Sequence, residues 1–431
     1  MKNKKQDREK GIMGRTGLIG GAPRGKAGVL NPETLLQSHW RPQGKPWKRE
    51  RLYFRGDDYF RDLLKSVGRA KAAIEFETYI FEKGFLGDKV IGSFIRAARR
   101  GVRIRLLIDG VGSPDFASQY GPLLEREGIQ YRVYRSWGVF FASVFHILRF
   151  HRLSEITQDI RSAWAWGKHR DHRKLLEVDE KEVWIGSFNV SDWHLEKVKG
   201  KKVWRDTGLV LRGVKSLVFK IAFHLAWEDQ LRSRLRHVYR KLLIRWLSHD
   251  IFESPIQISA TQSLRRWYRR ELLWIFQSAR KRIWITTPYF VPPYSLLKAI
   301  RNAGKKGCDV RILVPGESDV PMVRWASITF YPFLLKAGCR IFEFQKRVLH
   351  AKTFMVDEWV RVGSGNLDHR SLRKDLEVNV ILKNSKSIQA LEKQFNRDLK
   401  ESREVTLAEL VQHPLWVSFL SWFFFRFRFW F

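Results

Sequence analysis

Apolar residues recur along this chain first at helical and then at strand spacing, and the alternation is itself repeated. Residues 59–81 (YFRDLLKSVGRAKAAIEFETYIF) predict an amphipathic helix followed by an apolar strand; residues 268–290 (YRRELLWIFQSARKRIWITTPYF) repeat the plan, with Ala279 opposite Ala70 and Ile283 opposite Ile74. A helix end and a strand follow at 97–109 and again at 302–316, where Gly307 stands opposite Gly101. A third pair, 172–189 and 350–366, sets His350 opposite His172. Strands alternating with helices at this spacing predict an α/β fold of two pseudo-symmetric halves, each a mainly parallel β-sheet flanked by helices.

The repeat divides the chain. Its halves span 49–214 and 256–404, and the first holds extra residues, placed within 137–168, ahead of its motif. A basic arm (1–48) precedes them, a basic amphipathic helical connector (215–255) joins them, and an aromatic tail (405–431) follows. Met1–Leu30 contains no apolar stretch of the kind a secretory signal needs, and Gly20–Ala27 lacks the Ser or Thr with which a P-loop holds magnesium. No uncharged apolar run is long enough to cross a bilayer as a helix.

Charge narrows the choice of partner. The 431 residues carry a formal net charge of +36, which implies a polyanion: nucleic acid, an anionic membrane surface or phosphorylated substrates. An aromatic content of 14%, with 18 Trp, favours the membrane interface. Three segments suit a headgroup layer: 137–150 (WGVFFASVFHILRF), the connector, where Leu231, Leu235, Tyr239, Leu242 and Trp246 alternate with arginines, and 415–431 (LWVSFLSWFFFRFRFWF). Cys308 and Cys339, the sole cysteines, exclude a disulfide framework and a Cys-rich zinc site, and are expected as buried thiols in a reducing compartment.

Candidate chemistry sits in the third repeated pair. Both copies read His, one residue, Lys, four residues, Asp: His172, Lys174, Asp179 and His350, Lys352, Asp357. Alternate residues of an extended segment share a face, so each imidazole lies beside its ammonium group. Two imidazoles can divide a double displacement at phosphorus: one attacks as a neutral nucleophile, the other protonates the leaving oxygen, and lysines offset the charge that builds up. No metal or other cofactor is expected. Small-residue turns follow each motif, and Ser187, Asn189, Ser364 and Asn366 can donate to phosphate oxygens. Further on, Asp206 and Glu377 are candidates to accept from the distal ring nitrogens and fix the tautomers.

The duplicated pattern resembles the HKD motifs of the phospholipase D superfamily over about residues 50–400. Within it, ETYIFEKGFLGDKV, RRGVRIRLLIDGVGS, TTPYFVPP, GSGNLDHRSL and DLEVNV are similar to segments of bacterial cardiolipin synthases, of the short type without N-terminal transmembrane helices. The resemblance implies one site shared at the interface of the halves and built from all six motif residues. It also implies that Ser187, Asn189, Ser364 and Asn366 hold the phosphate, that Asp206 and Glu377 orient the histidines, and that His172 is the nucleophile and His350 the acid. It further implies phosphatidyl transfer between phospholipids at the cytoplasmic face of a bacterial inner membrane. An anionic phospholipid membrane is then the expected partner, and nucleic acid is not, since no nucleic-acid-binding signature occurs and the aromatic tail would be a liability in a soluble nuclease. A hydrolase or nuclease of the same superfamily remains the alternative, and a non-catalytic lipid-binding scaffold is disfavoured because no motif residue is lost.

Overall fold

The computed structural model describes residues 47–136, 169–214, 217–228, 254–411 and 415–426. The 137–150 segment, the Leu231–Trp246 run and nearly all of the N-terminal arm lie outside the described residues.

Each half supplies one sheet. The first orders its strands β1-β7-β6-β5-β2-β3-β4, with β1 Arg49–Tyr53, β2 Ala73–Thr78, β3 Arg103–Asp109, β4 Gln130–Tyr134, β5 Leu175–Val178, β6 Glu182–Gly186 and β7 Gly208–Arg212. The second half begins with β8 Ile256–Ile258, β9 Arg282–Thr286, the short β10 Phe290–Val291, β11 Asp309–Pro315 and β12 Arg340–Phe344. It continues with β13 Thr353–Val356, β14 Trp359–Gly363, the short β15 Leu367–Asp368, β16 Val378–Ile381 and β17 Ser402–Val405; its main sheet runs β17-β12-β11-β9-β13-β14-β16-β8.

Only part of each sheet is parallel. The strands β2, β3 and β4 run parallel, as do β9, β11 and β12, and the remaining pairings of the two large sheets are antiparallel. The expectation of mainly parallel sheets is therefore corrected to mixed ones. The reason lies in the motifs themselves: each repeated His-Lys-Asp segment is the first arm of a tight hairpin, β5–β6 or β13–β14, and a short turn can join only antiparallel strands.

Side-chain parity stacks the layers. In β6 and β7, Val183, Ile185, Leu209 and Leu211 point to one face, where they meet Met355, Val360, Val362, Val378 and Val380 of the second sheet. Trp184 and Val210 point the other way, onto the helices Gly56–Arg69 and Phe85–Ala98. The second sheet is covered likewise by Gln262–Ser278 and Tyr294–Lys305. The result is helix, sheet, sheet, helix, and strands buried on both faces read as near-continuous apolar runs.

The connector opens with a helix, Leu217–Glu228, whose Phe223 and Trp227 pack on Leu107, Tyr134 and Leu376. The tail contains a helix, Leu415–Arg426, held to the second half by a bond from Thr329 Oγ1 to the Ser421 carbonyl (3.1 Å), while Trp422 and Phe423 stay exposed. No helix among the described residues is long and apolar enough to cross a membrane. Cys308 and Cys339 are buried and unpaired.

Candidate active site

The two motifs meet where the halves are laced together. Asp109, at the end of β3, accepts the Asp171 N–H (2.9 Å) and so sets the approach to β5. Arg173 then points away from the site into a buried pairing with Glu77 and Asp171 (2.8 and 2.9 Å). That leaves His172 and Lys174 on the opposite face, as strand parity requires. Lys174 Nζ donates to the His172 carbonyl (2.8 Å) and Lys352 Nζ to the His350 carbonyl (2.6 Å), so both halves fold the pair identically.

The lacing is reciprocal. His172 N–H donates to the Leu376 carbonyl of the second half (3.0 Å), and His350 N–H to the Arg205 carbonyl of the first (2.8 Å). These backbone bonds bring each candidate carboxylate to the histidine of the other half: His172 Nδ1 lies 3.0 Å from Glu377 Oε1, and His350 Nδ1 lies 2.8 Å from Asp206 Oδ1. Each imidazole meets its carboxylate through Nδ1 and not through Nε2.

Glycine makes this approach possible. A Cβ on Gly186 would stand 2.6 Å from the Thr207 carbonyl, next to Asp206, and one on Gly363 would stand 2.3 Å from the Val378 carbonyl, next to Glu377. Any side chain there would push the carboxylate strands outward.

The electrostatics of the halves differ. Burial, then the charges of Lys174, Lys352 and His350, hold His172 well below the ordinary imidazole range, so it is neutral. His350 is also lowered, by burial and Lys352, but the Asp206 carboxylate opposes both. Burial disfavours ionising Asp206, yet His350 and His194 outweigh it and hold its carboxyl well below the usual range. Around Glu377 burial prevails and raises the carboxyl, against Lys174 and two serine hydroxyls. Lys174 is pushed down to about 7 by burial and by Lys352, and Lys352 down to about 8 by burial against the Asp206 carboxylate.

The aspartates of the two motifs do not join the imidazoles, which corrects the expectation of a six-residue site. Asp179 lies at the far end of β5 in a left-handed conformation (φ 53°), where its carboxylate accepts the N–H groups of Lys71, Ala72 and Ala73 (2.8, 2.8 and 3.0 Å). Asp357 (φ 48°) does the same for Arg280, Lys281 and Arg282 (2.9, 2.8 and 2.9 Å). Aspartate suits the place because it tolerates a left-handed turn and its short carboxylate reaches the strand beside it. The N–H bonds hold both carboxyls below the ordinary value against partial burial. Asp179→Ala is expected to cost about 1–3 kcal/mol in urea unfolding, nearer the low end because the turn is solvated. The contribution is present above the unfolded carboxyl pKa of about 3.9 and is lost as pH falls through the folded value, so wild type and variant should converge in acid.

The serines also serve the strands. Ser187 Oγ donates to the Thr207 carbonyl (3.1 Å) and accepts the Thr207 N–H (3.0 Å). Ser364 Oγ donates to Glu377 Oε2 (2.5 Å) and accepts the Val378 N–H (3.0 Å). Of the four expected phosphate donors, these two are therefore taken up internally. Asn189 Oδ1 accepts the Ile80 N–H (3.3 Å), and Asn366 Oδ1 is buried without a partner among the described residues; since an amide oxygen only accepts, each asparagine could hold a phosphate oxygen through its Nδ2 group alone.

Sequence reasoning missed His194 and Ser371. His194 Nε2 accepts the Asn189 N–H (3.2 Å) and its Nδ1 lies 3.0 Å from Asp206 Oδ2, so Asp206 is held between two imidazoles. Ser371 occupies the matching place, accepting the Asn366 N–H (3.2 Å) and donating to Glu377 Oε1 (2.7 Å). Both stand five residues past their asparagine, so the repeat held the signal, but the change of residue type hid it. His194→Ala is expected to lower turnover roughly 10- to 100-fold, as loss of a carboxylate's orienting partner does. Asp206 would titrate higher, so the acid limb of the pH–rate profile should move up, and His194→Asn should restore much of it. Tyr79, whose ring stands 5.1 Å from that of His172, and Trp204, 5.4 Å from His350, complete the walls.

Paired imidazoles and lysines from duplicated halves, with carboxylates exchanged between them, define a phospholipase D-type phosphoryl-transfer site. The chain belongs to the cardiolipin synthase family of this superfamily, whose members are phosphatidyltransferases: the family described as cardiolipin synthase, PLD-like domain, matches residues 63–199 and again 272–399. A cardiolipin synthase of Clostridium perfringens is 30% identical over 361 residues, covering 83% of this chain and 71% of the relative. Cardiolipin synthase 2 of Bacillus cereus is 32% identical over 357 residues, covering 81% and 64%. The fold is shared with phosphatidylserine synthase of Haemophilus influenzae, at a TM-score of 0.61 and 13% identity over 88% of this chain and 93% of that one.

Proposed function

We propose that the chain makes cardiolipin by phosphatidyl transfer from one phosphatidylglycerol to a hydroxyl of another. His172 Nε2 attacks the phosphorus of the donor, the bond from phosphorus to the departing glycerol oxygen breaks, and imidazolium His350 gives that oxygen its proton. The headgroup hydroxyl of the second phosphatidylglycerol then attacks the phosphohistidine, His350 takes back a proton, and the N–P bond breaks. Lys174 and Lys352 face the charge that gathers on the phosphoryl oxygens, and substrate anions restore full charge to both. Asn189 and Asn366 are the remaining candidates to hold the phosphate.

One observation supports this reading above the others: two buried imidazoles, each with an adjacent lysine, take their orienting carboxylates from opposite halves. The asymmetry between a neutral His172 and an Asp206-supported His350 favours His172 as nucleophile and His350 as acid. Phospholipid substrates and the surplus of positive charge suit a peripheral enzyme on the cytoplasmic face of a bacterial inner membrane. Incubating the purified protein with labelled phosphatidylglycerol, with and without phosphatidylethanolamine, tests the reading. Cardiolipin with free glycerol is expected; released ethanolamine would name the other donor, and phosphatidic acid alone would make the protein a hydrolase.

A further inference from the structure

Next to the site lies a surface built from residues 84–89 and 192–202. Trp204, which packs on His350, stacks on Trp193 with ring centres 6.1 Å apart, so the rings lead from the imidazole to solvent. There Trp193 is 37% exposed, and Phe85 (43%), the first residue of the helix Phe85–Ala98, and Val198 (40%), in the one-turn helix Glu196–Lys199, lie open where two loops lead into these helices. Asp192 ties those loops together by accepting the N–H groups of Phe85 and Leu86 (3.1 and 2.8 Å).

Cations surround these apolar side chains. Lys89 and Lys197 lie over the Phe85 ring at 4.2 and 4.6 Å, and Lys199 over Trp193 at 4.1 Å. Lys201 and Lys202 are exposed on the same loop. The neighbouring groove has Phe60, Leu64, Leu86 and Leu195 in its lining, with Arg61 and Lys65 among them. Asp57 also lines it, and Glu196 is paired with Arg55 (2.7 Å).

Exposed rings and aliphatic groups with ammonium groups at their own level match the two zones of an anionic headgroup layer, apolar below and phosphate above. A nucleic acid backbone would engage the lysines but leave Phe85, Val198 and the apolar groove in water. We propose that residues 84–89 and 192–202 form the surface that seats the protein on an anionic phospholipid layer, with the His350 side of the site at headgroup depth. The proposal rests on the reading that the substrate is a membrane phospholipid.

A polarity-sensitive maleimide dye tests it, because both native cysteines are buried. It would be placed at Val198→Cys and, as a control, at Lys181→Cys in the β5–β6 turn, at the opposite end of the sheet from the catalytic groups. With vesicles of phosphatidylglycerol and phosphatidylcholine, emission at position 198 should shift to the blue and emission at 181 should not. Replacing Lys197, Lys199, Lys201 and Lys202 together by Gln should weaken partitioning into these vesicles by roughly tenfold or more. Turnover of a monomeric short-chain phosphatidylglycerol should stay within about twofold. An unshifted position 198, undiminished partitioning, equal binding to neutral vesicles, or parallel loss of short-chain turnover would each overturn the surface. Wild-type protein that binds anionic vesicles through this surface but makes no cardiolipin would leave the surface standing and overturn the activity instead.

Discussion

Alanine in place of His172 should lower phosphatidyl transfer by roughly four orders of magnitude or more, since no other neutral nucleophile faces the phosphorus in the proposed mechanism. His350→Ala should cost about as much with phosphatidylglycerol, but for a different reason, and an activated donor separates the two. From a phosphatidyl ester of a nitrophenol the nitrophenolate leaves without needing a proton, so His350→Ala should release it in a burst and accumulate the phosphohistidine, which acid-quenched mass spectrometry would detect. His172→Ala should release none. Equal bursts from both variants would sink the assignment of roles, and substantial cardiolipin synthesis by either would sink the shared site.

The exchange of carboxylates gives the second large effect. Asp206→Asn keeps the shape but removes the charge that supports imidazolium at His350, while burial and Lys352 still oppose it. Turnover with phosphatidylglycerol should fall roughly 100- to 10,000-fold. The sign of the pH effect follows: His350 would hold its proton only at lower pH, so the alkaline limb, which reports loss of the acid, should move down. With the nitrophenyl donor, formation of the phosphohistidine should be nearly normal. Glu377→Gln should behave in the opposite way, impairing the attack by His172 with either donor, although Glu377 belongs to the other half of the chain. If each carboxylate variant instead reproduced the defect of the histidine in its own half, the reciprocal lacing would be wrong.

Part of this site could be read from the chain and part could not. His172, Lys174, His350 and Lys352 stood out because an extended segment sends alternate side chains to one face, a rule that needs no knowledge of the fold. Asp179 and Asp357 were equally conspicuous in the repeat, yet spacing says nothing about which end of a hairpin a side chain occupies. Both fasten the turn of β5–β6 or β13–β14 to the start of the strand beside it. Ser187 and Ser364 were read as phosphate donors from their chemistry alone; the backbone groups that claim their hydroxyls come from strands distant in sequence.

By itself the sequence determined that the chain is two copies of one α/β unit, which groups repeat, and that the chain is strongly basic, because periodicity, duplication and net charge are local or additive properties. Tertiary structure alone decided that the sheets are mixed, that Glu377 serves His172 while Asp206 serves His350, and that His194 and Ser371 break the symmetry. Those outcomes depend on which segments of one half lie against the other. Strand pairing and burial set that contact, and no spacing within a single half encodes it.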